Sequence, residues 1–121
     1  MTSSVKPFVI VDAGNTSVKV AHIKNSHIQS VHRFAHVSDA LSTISDADVV
    51  CASVLNENFK QLFINSGGSF HQITHQSKLP FKSDYGSMET IGVDRLCNMA
   101  AAFKLFESHN CLVVDIGTCI K

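Results

Sequence analysis

Two short segments combine aspartate, glycine and a hydroxyl residue directly after an apolar run. The first reads Asp-Ala-Gly-Asn-Thr at residues 12–16, and the second reads Asp-Ile-Gly-Thr at residues 115–118. Glycine lets a backbone approach a ligand closely, and the N–H groups of such turns can bind phosphate oxygens. An aspartate at the end of a strand can hold hydrated Mg²⁺. The pattern therefore predicts two phosphate-binding hairpins that face each other across a cleft.

A plain hairpin turn is the alternative for the first segment, because Asp, Gly and Asn are also the usual turn residues. The second copy of the pattern, about a hundred residues later, favours the phosphate-binding interpretation. Asn15 can take the left-handed turn conformation, and Lys19, three residues beyond Thr16, could reach a phosphate.

A third segment, Gly-Val-Asp-Arg at residues 92–95, places an acid and a guanidinium at the start of a predicted helix. The helix dipole and the free N–H groups make the potential positive there. Asp94 could accept a hydroxyl proton, and Arg95 could bind the carboxylate or amide of a substrate. The alternative is that Asp94 is only a capping or first-turn charge that stabilises the helix.

The elements that must position these residues are short strands and helices. Apolar runs and helical spacing predict strands at residues 8–11, 18–23, 28–34, 48–54, 70–74 and 111–114, and helices at residues 38–44, 56–64 and 93–106. Tight turns join the first three strands, which predicts an antiparallel meander. The fold class is thus mixed α/β with an antiparallel start, in contrast to a repeating βαβ Rossmann fold.

Finer expectations concern the middle of the chain. The helix at residues 56–64 should bury Phe59, Leu62 and Phe63, and Gly67 with Gly68 should end that segment. Residues 78–89 are expected to form a loop.

Composition excludes several classes of protein. The 121 residues carry ten basic and ten acidic side chains, so the formal charge of zero argues against a polybasic nucleic-acid binder. Hydrophobic residues make up 45%, enough for a folded core, whereas every apolar run is far too short to cross a membrane. The first residues lack the apolar region of a signal peptide, which predicts a cytoplasmic protein.

Cysteine and histidine side chains are common metal ligands, and their spacing in this sequence indicates whether they could bind a metal. The cysteines form no Cys-x-x-Cys pair and are interpreted as buried reduced thiols, with a disulfide or a metal site as alternatives; they are Cys51, Cys97, Cys111 and Cys119. Two histidine pairs have the four-residue spacing of ligands on a helix, namely His32 with His36 and His71 with His75. Their strand-like flanks favour surface histidines.

In order and spacing, the three segments resemble those of type III pantothenate kinases, a family in the superfamily of acetate kinase, sugar kinases and actin. The resemblance spans residues 8–118. The two Asp-x-Gly segments, at residues 12–16 and 115–118, mark only the superfamily, and the Gly-Val-Asp-Arg segment with Tyr85 upstream narrows the resemblance to pantothenate kinases. The fold implied is ribonuclease H-like, as in actin-like ATPases, with a mixed sheet, antiparallel first three strands and helices on both faces.

The resemblance implies a role for individual residues. The loop that binds ATP and its phosphates would comprise Asp12, Ala13, Gly14, Asn15, Thr16, Ser17, Val18 and Lys19, with Thr118 from the second hairpin. Pantothenate would contact Tyr85, Gly92, Val93, Asp94 and Arg95, with Asp94 as the catalytic base. Asp115 would hold a monovalent cation, K⁺ or NH₄⁺, and Asp12 would hold Mg²⁺ directly or through water.

The activity implied is ATP-dependent phosphorylation of the primary hydroxyl of pantothenate, the first step of coenzyme A synthesis, by a homodimer. Residues 1–110 would form a first actin-like domain, and residues 111–121 would begin a second domain that the sequence otherwise lacks. The family usually has Ala and Thr where this chain has Cys119 and Lys121. We therefore expect the 121 residues alone to be inactive.

Two alternatives from other classes stay open at this point. The chain could be a non-catalytic nucleotide-binding module of the same fold. It could also be an ATPase or phosphatase of the superfamily, in which water replaces the alcohol as phosphoryl acceptor. That alternative gives no role to Tyr85 and Arg95.

Overall fold

A computed structural model describes residues 7–64 and 67–117 of the chain. Contacts along the chain divide it into two compact units, Met1–Ile73 and Thr74–Lys121. The first unit contains β1 (Phe8–Ala13), β2 (Val18–Lys24), β3 (His27–Phe34), α1 (Val37–Leu41), β4 (Ala47–Ser53), α2 (Phe59–Leu62) and β5 (Gly67–Gln72). The second contains a 3₁₀ turn at Met88–Thr90 and α3 (Val93–Leu105).

The five strands form one mixed sheet in the order β3-β2-β1-β4-β5. β1 and β2 are antiparallel, as are β2 and β3, so the predicted meander is confirmed. β4 lies parallel to β1 on its other side, and β5 lies parallel to β4. The mixed α/β class is therefore confirmed, with β1 at the centre of the sheet.

One face of this sheet carries the core of the first unit. Successive strand residues point to opposite faces, so Val9 and Val11 of β1 point the same way and are both buried. Their neighbours in register, Val20 on β2 and Cys51 on β4, are buried beside them. On the opposite face, Ile10 is 38% exposed.

Both helices of the first unit pack on the buried face. Ala40 of α1 and Phe59 of α2 belong to the same hydrophobic cluster as the β1 valines. Phe63, which directly follows α2, stacks on Phe70 of β5 with ring centroids 5.6 Å apart. The expectation of helices on both faces of the sheet stays a prediction.

The second predicted helix is shorter than expected. α2 is a single turn that begins after Asn58, whose side-chain oxygen accepts a hydrogen bond from the N–H of Gln61 at 3.2 Å. Phe59 and Phe63 are buried as predicted, but Leu62 is 40% exposed, so that part of the prediction was wrong. Leu62 is the last residue of this single turn, and its side chain is only partly covered by the core.

The fifth strand begins earlier than predicted. Gly67 and Gly68 were expected to end the preceding segment, but they are the first residues of β5. Gly67 has a φ of +84°, a conformation that favours glycine. A side chain on Gly68 would clash with the carbonyl group of Ala47, next to the irregular register between Ala47 and Val49. Glycine is what lets β5 approach β4 this closely.

In the second unit, α3 agrees with the predicted helix at residues 93–106 to within one residue. The strand predicted at residues 111–114 is absent from the described structure, where these residues have no regular secondary structure. Leu112 is 88% exposed and Val114 is 55% exposed. An apolar run forms a strand only where a partner strand offers hydrogen bonds. Among the described residues, no strand pairs with residues 111–114.

Other expectations had mixed outcomes. Cys51 is buried, as predicted, whereas Cys111 is exposed, which the prediction of buried thiols missed. Cys97 is half-buried, and Cys119 lies outside the described residues.

None of the helices in residues 7–64 and 67–117 has the length and apolar character that a bilayer crossing requires. The boundary expected between residues 110 and 111 stays a prediction.

We expect Gly68→Ala to destabilise the first unit, because the new methyl group must displace the Ala47 carbonyl or open the pairing of β4 with β5. Overpacking of this kind costs about 1–3 kcal/mol. The urea midpoint of unfolding measures it. Gly86→Ala is the matched control, because a Cβ at Gly86 meets nothing within 4 Å. Equal midpoints for the two variants would contradict the close approach of β5.

Candidate functional site

The first candidate loop connects β1 to β2. Ala13 and Val18 are the last residues in register, and the loop is closed by a hydrogen bond from the N–H of Gly14 to the carbonyl oxygen of Ser17 at 3.0 Å. Asn15 and Thr16 at its tip are exposed. The backbone and hydroxyl groups of the tip are therefore accessible to a ligand.

Asn15 does not use the left-handed conformation that its residue type allows. Among the described non-glycine residues, positive φ values occur only at Asn25, Ser26, Asp46 and Ser108. Asn25 and Ser26 form the two-residue connection between β2 and β3, and such connections require positive φ at both positions. The four-residue loop between β1 and β2 closes without one.

Asp12 and Lys19 are brought together by strand register. Asp12 on β1 is directly opposite Lys19 on β2, and both point to the face of the sheet opposite the core. On the other side of β1, Asp12 is in register with Ala52 of β4. Asp12 is half-buried and Lys19 is exposed, so the sheet places a carboxylate and an ammonium group beside the loop.

Cys51 shows how the carboxylate of Asp12 affects its surroundings. Burial and, as a smaller cause, the nearby negative charge of Asp12 together raise the pKa of the Cys51 thiol from 9.0 to about 12. Cys51 is fully buried. The thiol therefore stays protonated at neutral pH, which makes it a poor nucleophile.

The second candidate site begins at the N-terminus of α3. Gly92 is the residue that precedes the helix, and Asp94 is in the first turn. The Asp94 Oδ1 atom accepts a hydrogen bond from the N–H of Arg95 at 2.9 Å. A Cβ on Gly92 would lie 2.6 Å from that oxygen, so the carboxylate folds back over a position that only glycine leaves open. Gly92 thereby determines where the Asp94 carboxylate can lie.

A cavity of about 260 Å³ lies beside this helix start within the second unit. Its lining residues are Tyr85, Thr90, Ile91, Arg95, Asn98, Met99, Val113 and Asp115. Three predicted site residues, Tyr85, Arg95 and Asp115, are thus brought together. The lining therefore combines hydroxyl, guanidinium, amide and carboxylate groups with apolar side chains. Such a lining suits a small ligand that has polar groups and a short apolar stretch.

Asn98 and Thr90 line the cavity but were missed by sequence reasoning. The Nδ2 atom of Asn98 donates a hydrogen bond to Asp115 Oδ2 at 3.3 Å. The available signal was spacing, because Asn98 lies three residues after Arg95 and therefore on the same face of a helix. Thr90 lies in the 3₁₀ turn, and its Oγ1 donates to the Ser87 carbonyl oxygen at 2.7 Å; no sequence pattern marked it.

The remaining predicted residues lie elsewhere. Gly92, Val93 and Asp94 are outside the cavity lining but adjoin Arg95 in sequence. Thr118 lies outside the described residues. In residues 7–64 and 67–117, no group of three or more His, Cys, Asp or Glu side chains is arranged to hold a metal ion.

The histidines that were paired by spacing are all exposed; they are His32, His36, His71 and His75. His32 contacts His22 on the neighbouring strand edge to face, with ring centroids 6.3 Å apart. This contact follows from the sheet register and not from helical spacing.

The first unit carries a mixed α/β sheet with an exposed loop after β1, and the second unit carries a helix start that adjoins a small polar cavity. The model of the type III pantothenate kinase family matches residues 8–121, and the chain belongs to this family. This confirms the resemblance identified from the three segments.

Curated relatives agree with the family match. A type III pantothenate kinase of Flavobacterium johnsoniae is 33% identical over 119 residues, which cover 91% of this chain and 48% of that protein. Those of Christiangramia forsetii and Cytophaga hutchinsonii are 26% and 27% identical, and each match covers 93% of this chain. The chain spans about half the length of the curated relatives it matches.

The raised pKa of Cys51 predicts a pH dependence of stability. Between pH 9 and about 12, the thiol ionises in the unfolded state but not in the folded state. The unfolded state then binds fewer protons, so the free energy of unfolding falls as pH rises, by about 1.4 kcal/mol per pH unit for one group. Below pH 9 this contribution is constant.

Cys51→Ala removes the thiol, so the difference in unfolding free energy between wild type and variant should shrink as pH rises above 9. Urea unfolding at several pH values measures it, and titration of other groups is common to both proteins. A difference that does not vary with pH would contradict the raised pKa.

Proposed function

We propose that the protein phosphorylates the primary hydroxyl of pantothenate with ATP, the first step of coenzyme A synthesis. The observation that carries the proposal is the cavity that brings Tyr85, Arg95 and Asp115 together beside Asp94, in a chain of the type III pantothenate kinase family. The relatives from Flavobacterium johnsoniae and Christiangramia forsetii are type III pantothenate kinases, which supports the same reaction.

The loop between β1 and β2 would bind the nucleotide. Its exposed tip offers backbone N–H groups together with the Thr16 and Ser17 hydroxyls, and Lys19 adds a positive charge next to Asp12. Such donors can bind phosphate oxygens without a large net charge on the protein. Thr118 would add a hydroxyl from the second hairpin.

The cavity would bind pantothenate. The carboxylate of pantothenate matches the Arg95 guanidinium, for which the described residues supply no ion-pair partner, and its amide and hydroxyl groups match Tyr85 and Thr90 of the lining. Ile91 and Met99 provide apolar contact for the branched carbon skeleton. Gly92 and Val93 would contribute backbone contacts at the helix start.

Asp94 would orient the substrate hydroxyl and accept its proton. An aspartate with a pKa of about 4 is too weak a base to deprotonate a free alcohol. In a loose transition state, however, the hydroxyl becomes acidic only as it bonds to phosphorus, so the proton would transfer late. Positioning by Gly92 therefore matters more than basicity.

The residues present fit the expected ions. Asp12 is a single half-buried carboxylate at the end of β1, which suits a Mg²⁺ ion that is held largely by water and phosphate oxygens. The Asp115 carboxylate and the Asn98 amide supply the oxygen atoms that K⁺ or NH₄⁺ would need. When bound, such ions neutralise charge on the phosphates.

The proposal extends to domain organisation. Residues 1–110 would form the first actin-like domain, and residues 111–121 would begin a second one. The exposure of Leu112, Val114 and Ile116 supports this assignment, because apolar side chains in a row are normally covered. The complete enzyme would be a cytoplasmic homodimer.

The test is ADP release by the protein produced from its complete reading frame, with MgATP, K⁺ and pantothenate. We expect ADP only when pantothenate is present, and one phosphopantothenate for each ADP. Phosphate release that does not depend on pantothenate would indicate an ATPase or phosphatase. ATP binding without any turnover would indicate a non-catalytic nucleotide-binding module, and either result would overturn the proposal.

Asp94→Asn should lower kcat by about 10²–10⁴-fold, the usual contribution of a positioned acid or base. Affinity for ATP should stay within about twofold, because Asp94 lies outside the nucleotide loop. Steady-state kinetics and calorimetric titration with ATP measure the two effects.

The matched control is Asp39→Asn, which removes an exposed acid from the first turn of α1. It should leave kcat unchanged. Near-normal turnover in Asp94→Asn would contradict the assignment of Asp94 as the catalytic base.

A further inference from the structure

Arg95 and Asp115 line the same cavity with opposite charges. Two such groups in a small space attract each other, and a direct ion pair would occupy the guanidinium that the proposed substrate carboxylate needs. In the described part of the chain, Arg95 and Asp115 form no ion pair with each other. The Asp115 carboxylate has a different contact.

Asn98 supplies that contact. It lies three residues after Arg95 on α3, so the two side chains emerge from the same face of the helix. Its Nδ2 atom donates to Asp115 Oδ2 at 3.3 Å. The amide is neutral, so it binds the carboxylate without competing for the charge of Arg95.

The apolar side chains that flank Asp115 give it little support from burial. Residues 111–115 have no regular secondary structure, and the flanking Val114 and Ile116 side chains are 55% and 73% exposed. Apolar burial can therefore add little to the position of Asp115. Val113 and Met99 both line the cavity, which places this segment beside α3 at the same level as the Asn98 hydrogen bond.

We propose that Asn98 is a positioning residue that holds Asp115 away from Arg95 and so keeps the guanidinium available to the carboxylate of the substrate. The inference rests on the proposed function for the identity of the ligand. It assigns to Asn98 a role in specificity for an anionic substrate, a role separate from contact with the substrate itself.

The first experiment measures ligand binding without ATP, by calorimetry, in the protein produced from its complete reading frame. The two ligands are pantothenate and pantothenol, the alcohol that lacks the carboxylate. Asn98→Ala should weaken pantothenate binding about tenfold and change pantothenol binding less than twofold, because only the former needs a free Arg95.

A second substitution tests the cause. In Asn98→Ala/Asp115→Asn, no carboxylate remains to pair with Arg95, so pantothenate affinity should return to within about threefold of wild type. Asn110→Ala, which makes the same side-chain change at an exposed position outside this cavity, should leave both affinities unchanged. Equal weakening of both ligands by Asn98→Ala, or no recovery in the double variant, would overturn the inference.

A readout without ligand separates this inference from the proposed function. Phenylglyoxal modifies free guanidinium groups, and peptide mass spectrometry can follow the reaction at Arg95. Pairing with Asp115 should slow it in Asn98→Ala but not in the double variant or in Asn110→Ala. If wild type binds neither ligand, the proposed function fails. Unchanged reactivity of Arg95 in Asn98→Ala then refutes the positioning role as well, whereas slower reactivity supports it.

Discussion

The two-residue period of β1 is the constraint on which the first unit depends. It turns Val9, Val11 and Ala13 toward the helices and leaves Asp12 on the opposite face, at the point where the strand ends. A shift of one residue would bury the carboxylate and expose the valines, so hydrophobic burial and the position of Asp12 are specified together. β1 pairs with antiparallel β2 on one side and with parallel β4 on the other. Its register therefore also determines the positions of Lys19, opposite Asp12, and Cys51, opposite Val11.

In the second unit, α3 has the corresponding role. Its first turn presents Asp94 and Arg95, and the next turn presents Asn98 and Met99 toward the cavity. The absence of a side chain on Gly92 lets the Asp94 carboxylate fold back onto the Arg95 N–H. The cavity thus gathers a cation, an anion and an amide in a chain whose formal charge is zero. Local placement of charge, and not a global field, gives this site its chemistry.

Much of this could be predicted from sequence, because the signals were local. Apolar runs and tight turns located β1, β2 and β3, and helical spacing located α3. The Gly-Val-Asp-Arg segment located one end of the cavity. Sequence could not reveal that Asn98 contacts Asp115, because that contact joins residues 17 apart through a segment without regular structure. The residue type also left the conformation of Asn15 open, because the length of the loop determined that conformation.

The two errors in strand prediction have one physical cause. Residues 111–114 read as an ideal strand, yet form none in the described structure, whereas β5 begins with two glycines and still pairs with β4. A strand gains its stability from hydrogen bonds and side-chain contacts with a neighbour, so intrinsic preference alone does not decide it. β4 offers a parallel edge that Gly68 can approach closely. Strand propensity in a single sequence therefore indicates the capacity to pair, and only the presence of a partner converts that capacity into a sheet.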